Sequence, residues 1–135
     1  RNNHPPIRDS FALRFEAGGK AVVFSGDTAL FDGWFTFARR ADLVVHEAMV
    51  AEGVDRLVAR VGNGDRLKQH LEASHTDASE VGRLAARAEV GILALHHLVP
   101  SDDPLIGQHD WEAAVREGGF AGRLFVGRDL LEITF

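Results

Sequence analysis

From Ser10 onward the side chains alternate, with Phe11, Leu13 and Phe15 on one parity and Ala12, Arg14 and Glu16 on the other. A period of two predicts a strand. Ala17-Gly18-Gly19-Lys20 then supplies a turn and Ala21 to Phe24 a second strand, so a hairpin is expected here. A second hairpin is expected at the other end, where Arg123 to Val126 and Leu130 to Phe135 flank Gly127-Arg128-Asp129. Between them the pattern changes to strand alternating with helix. Leu43-Val44-Val45 and Ile92-Leu93-Ala94-Leu95 are short apolar runs of the buried-strand kind. Asp77, with Glu80 three residues on, predicts a capped helix whose apolar stripe is Ala78, Val81, Ala85 and Ala88, with Leu84 beside it. Asp110 and Gly118-Gly119 bracket another helix, built on Trp111, Ala114 and Val115. Residues 51–73 read as two helical pieces broken at Gly62-Asn63-Gly64. There is no internal repeat or linker, and the chain reads as one α/β unit.

Composition narrows the function classes. The 135 residues suffice for one domain, and 45% hydrophobic with 26% charged residues is an ordinary globular balance. No stretch approaches the roughly 18 apolar residues of a membrane span. The absence of cysteine excludes disulfides, thiolate zinc sites and a cysteine nucleophile. A net charge of −5 without a dense basic run argues against a broad nucleic-acid surface. Arg1 to Pro6 carries neither an initiator Met nor a signal pattern, so targeting is not read from it; the location expected is cytoplasmic. Seven histidines beside no tyrosine and one methionine ask for a metal reading.

The polar residues that could answer it follow the strands. Asp27 comes after the strand ending at Phe24, His46-Glu47 after Val45, and His96-His97 after Leu95, while His75 directly precedes a helix. Ligands of open α/β sheets bind beyond the carboxyl ends of the strands, so convergence on one site is the economical reading. Each residue also has a plainer role. Asp27 could cap a helix, His46 could be a buried histidine bonded to backbone, Glu47 could favour a helix dipole, and His75 could merely enter a helix. A His-His pair on a strand sends its members to opposite faces, so at most one should reach a given site. His70 and His109 lack partners at ligand spacing and read as surface residues; Trp34, Trp111 and the phenylalanines read as core. Asp and neutral His suit zinc and related ions, which activate water for hydrolysis, with a nearby His as proton donor fixed by a Glu. No Walker loop, dinucleotide loop or Gly-x-Ser-x-Gly elbow offers a rival chemistry.

Taken together, four segments resemble the metallo-β-lactamase-fold hydrolases of the ribonuclease Z, phosphodiesterase and arylsulfatase branch. They are His4-Pro5 before the Phe11-to-Phe15 strand, Phe24-Ser25-Gly26-Asp27-Thr28, Val45-His46-Glu47-Ala48 with Ser74-His75-Thr76, and Leu93-Ala94-Leu95-His96-His97-Leu98-Val99-Pro100. The resemblance implies a two-zinc centre (manganese or iron as alternatives), with His4 on the first metal, Asp27 bridging and His97 on the second. His96 falls where the family has Thr. Catalysis would be attack by a metal-bridging hydroxide, with His75 as leaving-group acid oriented by Glu47.

The family's His-x-His-x-Asp-His motif is absent. The resemblance therefore implies that residues 1–135 are the C-terminal half of an αββα sandwich: one mixed sheet with covering helices and a hairpin at each end. The N-terminal half would come from the same chain or another subunit. The family's tRNA-gripping arm has no counterpart between Pro5 and Gly26, which argues against precursor tRNA. The substrate expected is thus a phosphodiester or related small ester, with nucleic acid and membrane not expected as partners and a homodimer open. Alternatives are a sulfate ester, lactone or carboxylic ester at the same centre, or a non-catalytic relative that binds a ligand or partner. Expressed alone, these residues are expected to be inactive and poorly soluble. High-affinity zinc binding with a sharp cooperative melt of the isolated chain would refute that.

Overall fold

A computed structural model describes residues 1–31 and 33–135. Its centre is a five-stranded mixed sheet in sequential order: β1 (Leu13–Ala17), β2 (Lys20–Phe24), β3 (Leu43–Met49), β4 (Ile92–Val99) and β5 (Arg123–Val126). β1 and β2 form the expected hairpin, with Leu13 opposite Phe24 and Phe15 opposite Val22. Its turn uses Gly18 and Gly19 at φ of 59° and 78°, a conformation that glycine adopts without strain. The remaining neighbours are parallel. The parallel strands need crossovers, and the helices supply them: α1 (Trp34–Ala38), α2 (Ala51–Val58), α3 (Gly64–Ser74), α4 (Ala78–Arg87) and α5 (Gln108–Glu117). As expected, 51–73 is two helices, and Asp77 caps α4 by accepting from the Ser79 backbone N–H (2.9 Å).

Strand parity assigns the two sheet faces. Val23, Val44, Leu93 and Leu95 lie fully buried, packed with Trp34, Val81, Leu84, Ala85, Trp111 and Val115 from α1, α4 and α5. The α4–α5 approach is so close that a Cβ on Gly82 would overlap the Val115 carbonyl. The other face starts with an apolar strip that no element covers: Leu13, Phe15 and Phe24 are 52%, 57% and 41% exposed. Phe15 and Phe24 meet edge to face across the hairpin, at 6.1 Å between ring centroids.

Two expectations about strands change. The C-terminal hairpin does not form. Among the described residues, β5 pairs only with β4, and residues 130–135 join no ladder. The Gly127 N–H donates to the Leu95 carbonyl (2.8 Å), so the chain keeps following β4 where a hairpin would reverse. The turn comes later, at Arg128 to Leu131, with Leu130 at φ 62° and its side chain in solvent. Second, β3 and β4 run on to Met49 and Val99, so His46-Glu47 and His96-His97 are strand residues. Among the described residues no helix is long and apolar enough to cross a membrane.

His46 takes the plainer of the roles its sequence allows. It faces the helices, where its Nε2 accepts from Trp34 Nε1 (2.7 Å) and its Nδ1 donates to the Glu47 carbonyl (2.6 Å). These two bonds fix one neutral tautomer. Burial above all pushes its pKa down, to about 4. A histidine depressed in the folded state stabilises the fold above its unfolded value, and that stability is lost as pH falls towards the folded one. From this group alone the protein should be about 2 kcal/mol less stable at pH 5 than at pH 7.5. Urea unfolding at the two pH values checks this, with His46→Gln expected to flatten the difference.

Candidate metal centre

Four loops and strand ends bring the chemical residues together at one rim of the sheet. After β2, Gly26 turns the chain at φ 58°, where a Cβ would crowd the Phe11 carbonyl at 3.0 Å and Asn2 Nδ2 at 3.2 Å. Asn2, buried beneath this turn, donates from Nδ2 to the carbonyls of Ser25 (2.7 Å) and Asp27 (3.2 Å). Ser25 joins the turn to β3: its N–H donates to the Val45 carbonyl (2.9 Å), and its hydroxyl accepts from the Glu47 N–H (2.9 Å). Asp27 is thereby delivered half-exposed at the rim.

Glu47 is fully buried and engaged on both oxygens. Oε1 accepts from the backbone N–H of Thr76 (2.8 Å) and of Thr28 (3.4 Å), and Oε2 accepts from His75 Nδ1 (3.3 Å). Burial pushes its carboxyl above the usual range, opposed by His75 and the two N–H donors. Thr76 closes the ring by donating its hydroxyl to the Thr28 carbonyl (2.6 Å). With Nδ1 turned to Glu47, His75 has Nε2 left for the rim.

His97 reaches the site through a bulge. Glu47 pairs with His96 and Ala48 with Leu98, so His97 is an extra residue with no partner on β3. Its φ is 43°, a left-handed conformation rare outside glycine. The bulge breaks the strict alternation expected of a His-His pair and re-aims His97. Its Nε2 lies 3.5 Å from Asp27 Oδ2, and its ring stacks on His75 at 5.3 Å and 16°. His96 is held back in the sheet, where burial, with the neighbouring His97, lowers its pKa. His97 is thus the member of the pair that comes within reach of Asp27.

His4 arrives from the N-terminal loop. That loop is tied down by Asn3 N–H to Thr28 Oγ1 (3.1 Å) and by Ser74 Oγ to the Pro5 carbonyl (2.9 Å). The His4 ring meets His75 edge to face at 5.5 Å, and its Nδ1 is buried without a hydrogen-bond partner. An orphaned imidazole nitrogen beside further imidazoles and a carboxylate is what a divalent ion with nitrogen and oxygen ligands would satisfy. One ligand atom from each of Glu47, His75 and His97 also falls within 4.8 Å of the others. Glu47 already accepts from Thr76, Thr28 and His75, which suits it to orient His75; His4, Asp27 and His97 are the groups nearest the rim that could hold a metal.

All five expected residues therefore converge. His70 was expected to have no partner; it is exposed, yet its ring lies 6.1 Å from His4 and its Nδ1 3.5 Å from Ser74 Oγ. The i, i+4 spacing of His70 and Ser74 on α3, just before His75, was the available signal. Asn2 gave none, since its role depends on a turn 23 residues away.

No family model matches the chain. It is 32% identical over 128 residues to a putative ribonuclease Z of Mycobacterium tuberculosis, covering 95% of this chain and 54% of that protein. A ribonuclease Z of Mycolicibacterium paratuberculosis is 33% identical, with 95% and 43% covered. Among solved structures, the metallo-β-lactamase fold protein YhfI from Bacillus subtilis superposes with a TM-score of 0.60 at 25% identity, covering 87% of this chain and 41% of that one. The chain spans about half the length of the curated relatives it matches. Gly26→Ala should cost about 1–2 kcal/mol, since alanine meets both the strained φ and the Phe11 carbonyl. Denaturant unfolding at fixed pH measures it, and an unchanged midpoint would mean the turn is not held as described.

Proposed function

Given a ribonuclease Z-like chain with a metallo-β-lactamase fold, we propose that it supplies the C-terminal half of a metal-dependent hydrolase of phosphodiester bonds. One observation carries the reading: Asp27, His97, His75 and His4 meet at the rim while the buried Glu47 stands behind His75. A second supports the half-domain reading. The uncovered strip of Leu13, Phe15 and Phe24 asks for an apolar cover, and the face of a second sheet would provide one. That second half would also bring the remaining metal ligands, and zinc is an ion that the His and Asp donors of this chain suit.

His4, Asp27 and His97 would hold the metal. When bound, such ions polarise a phosphoryl oxygen and activate water at neutral pH. The residues of this chain do the rest. Asp27, set by the Asn2 and Ser25 clamp, fixes where the phosphate can sit. His75 donates from Nδ1 to Glu47, so its Nε2 is the nitrogen available to protonate the departing oxygen. The Glu47 carboxylate stabilises the imidazolium that makes this transfer effective.

The substrate expectation changes. The named relatives are ribonucleases, and the missing arm bears on precursor tRNA, not on RNA phosphodiesters as a class. RNA phosphodiesters are the substrate class we propose, in place of the expectation that nucleic acid would not be bound. In the complete polypeptide containing these residues, His75→Ala should lower kcat on an RNA oligonucleotide by about 10²–10⁴-fold. Asp27→Ala should lose both activity and bound metal, measured by elemental analysis. Full activity in Asp27→Ala would sink the reading.

A further inference from the structure

Beside the histidine cluster lies a cavity of about 430 Å³ whose lining includes His96, His97, Ser101, Arg128 and Asp129. It is built between the end of β4 and the turn after β5, which the Gly127 N–H pins to the Leu95 carbonyl. A Cβ on Gly127 would overlap that carbonyl, so the backbone just before Arg128 cannot shift freely. Arg128 is exposed and, among the described residues, its guanidinium makes no ion pair or hydrogen bond, not even with the adjacent Asp129. The wall adds the Ser101 hydroxyl, a neutral group suited to an oxyanion. His97 belongs to both places, since its Nε2 faces Asp27 and its ring lines the cavity. An anion in the cavity would therefore sit next to the reacting position and not in it.

We propose that this cavity binds the phosphate of the nucleotide next to the scissile bond, with Arg128 as its charged contact and Ser101 as a neutral one. The proposal rests on the phosphodiester-hydrolase reading and deepens it. A planar guanidinium presents paired N–H donors to phosphate oxygens. Asp129 keeps the net charge of the cavity near zero, which favours one phosphate of a chain over a free di- or triphosphate. A nucleic-acid strand fits this geometry because its phosphates recur at a fixed spacing on both sides of the bond being cut. An isolated small diester has no second phosphate to place there.

The test uses the complete polypeptide, a fluorescently labelled single-stranded RNA oligonucleotide and bis(p-nitrophenyl) phosphate. Arg128→Ala should lower the ratio of kcat/KM on RNA to that on the small diester by about tenfold, through KM. Arg128→Lys should recover part of it. The slope of log affinity against log salt, read by anisotropy, should become shallower by about 0.7, one phosphate contact on a single strand. Arg39→Ala, the same charge loss in the loop before β3, at the opposite end of the strands, should change neither the ratio nor the slope. An unchanged ratio and slope in Arg128→Ala would overturn the proposal, as would an equal change in Arg39→Ala. A wild-type protein that cleaves neither substrate fails the hydrolase reading instead, and the anisotropy slope still decides the role of Arg128.

Discussion

A carboxylate with no solvent contact has to be satisfied by the protein around it, and at Glu47 that requirement organises the whole rim. Its three donors come from different parts of the chain: Thr28 from the turn after β2, Thr76 from the entry to α4, and His75 from the junction between α3 and α4. Meeting them fixes the distance from β2 to the helical layer. It also sets the rotation of the His75 ring and, through the Thr76–Thr28 bond, the height of the Asp27 turn. Losing any one donor would strand the others around a buried charge. A dry aspect and a wet aspect of one chemistry are thus joined by a single side chain.

Much of this was legible in the sequence because it depends on short-range order. The Gly-Gly hairpin, the Asp77 cap and the break at Gly62-Asn63-Gly64 all reflect local backbone preferences, and the structure keeps each of them. Asp27, Glu47 and His97 were legible because they sit at the ends of apolar runs that read as strands, His75 because it enters a helix, and His4 only through the family resemblance. What the sequence hid depends on neighbours distant along the chain. Nothing around His96-His97 announces a bulge, because the mismatch lies in the pairing with β3. Nothing near Leu130 reveals that Gly127 will bond to Leu95 and cancel a hairpin. The same holds for Asn2 and for the contact of His70 with His4.

The two faces of the sheet have different consequences for the chain. The helix-covered face is closely packed, with Val23, Val44 and Leu93 sealed by α1, α4 and α5, and even His46 completes both of its hydrogen bonds there. Among the described residues, the strip of Leu13, Phe15 and Phe24 on the other face has no such cover, although Leu43 and Glu47 on that face are buried. The residues proposed to hold a metal stand at the rim, where β2, β3 and β4 end. A second layer laid on the open face would have its own strand ends close to that rim, so one docking event could both bury the apolar strip and complete the ligand set.

The left-handed backbone at His97 also restricts how this position can change over generations. Glycine would relax the strain but remove the imidazole, and a β-branched residue would fit neither the backbone nor the chemistry. Asparagine and aspartate tolerate such a φ and still present an oxygen to the rim. Drift at position 97 is thereby channelled towards a few short polar side chains. In the proposed metal centre, a change in the identity of the ion could then follow from one codon, without any rearrangement of the fold.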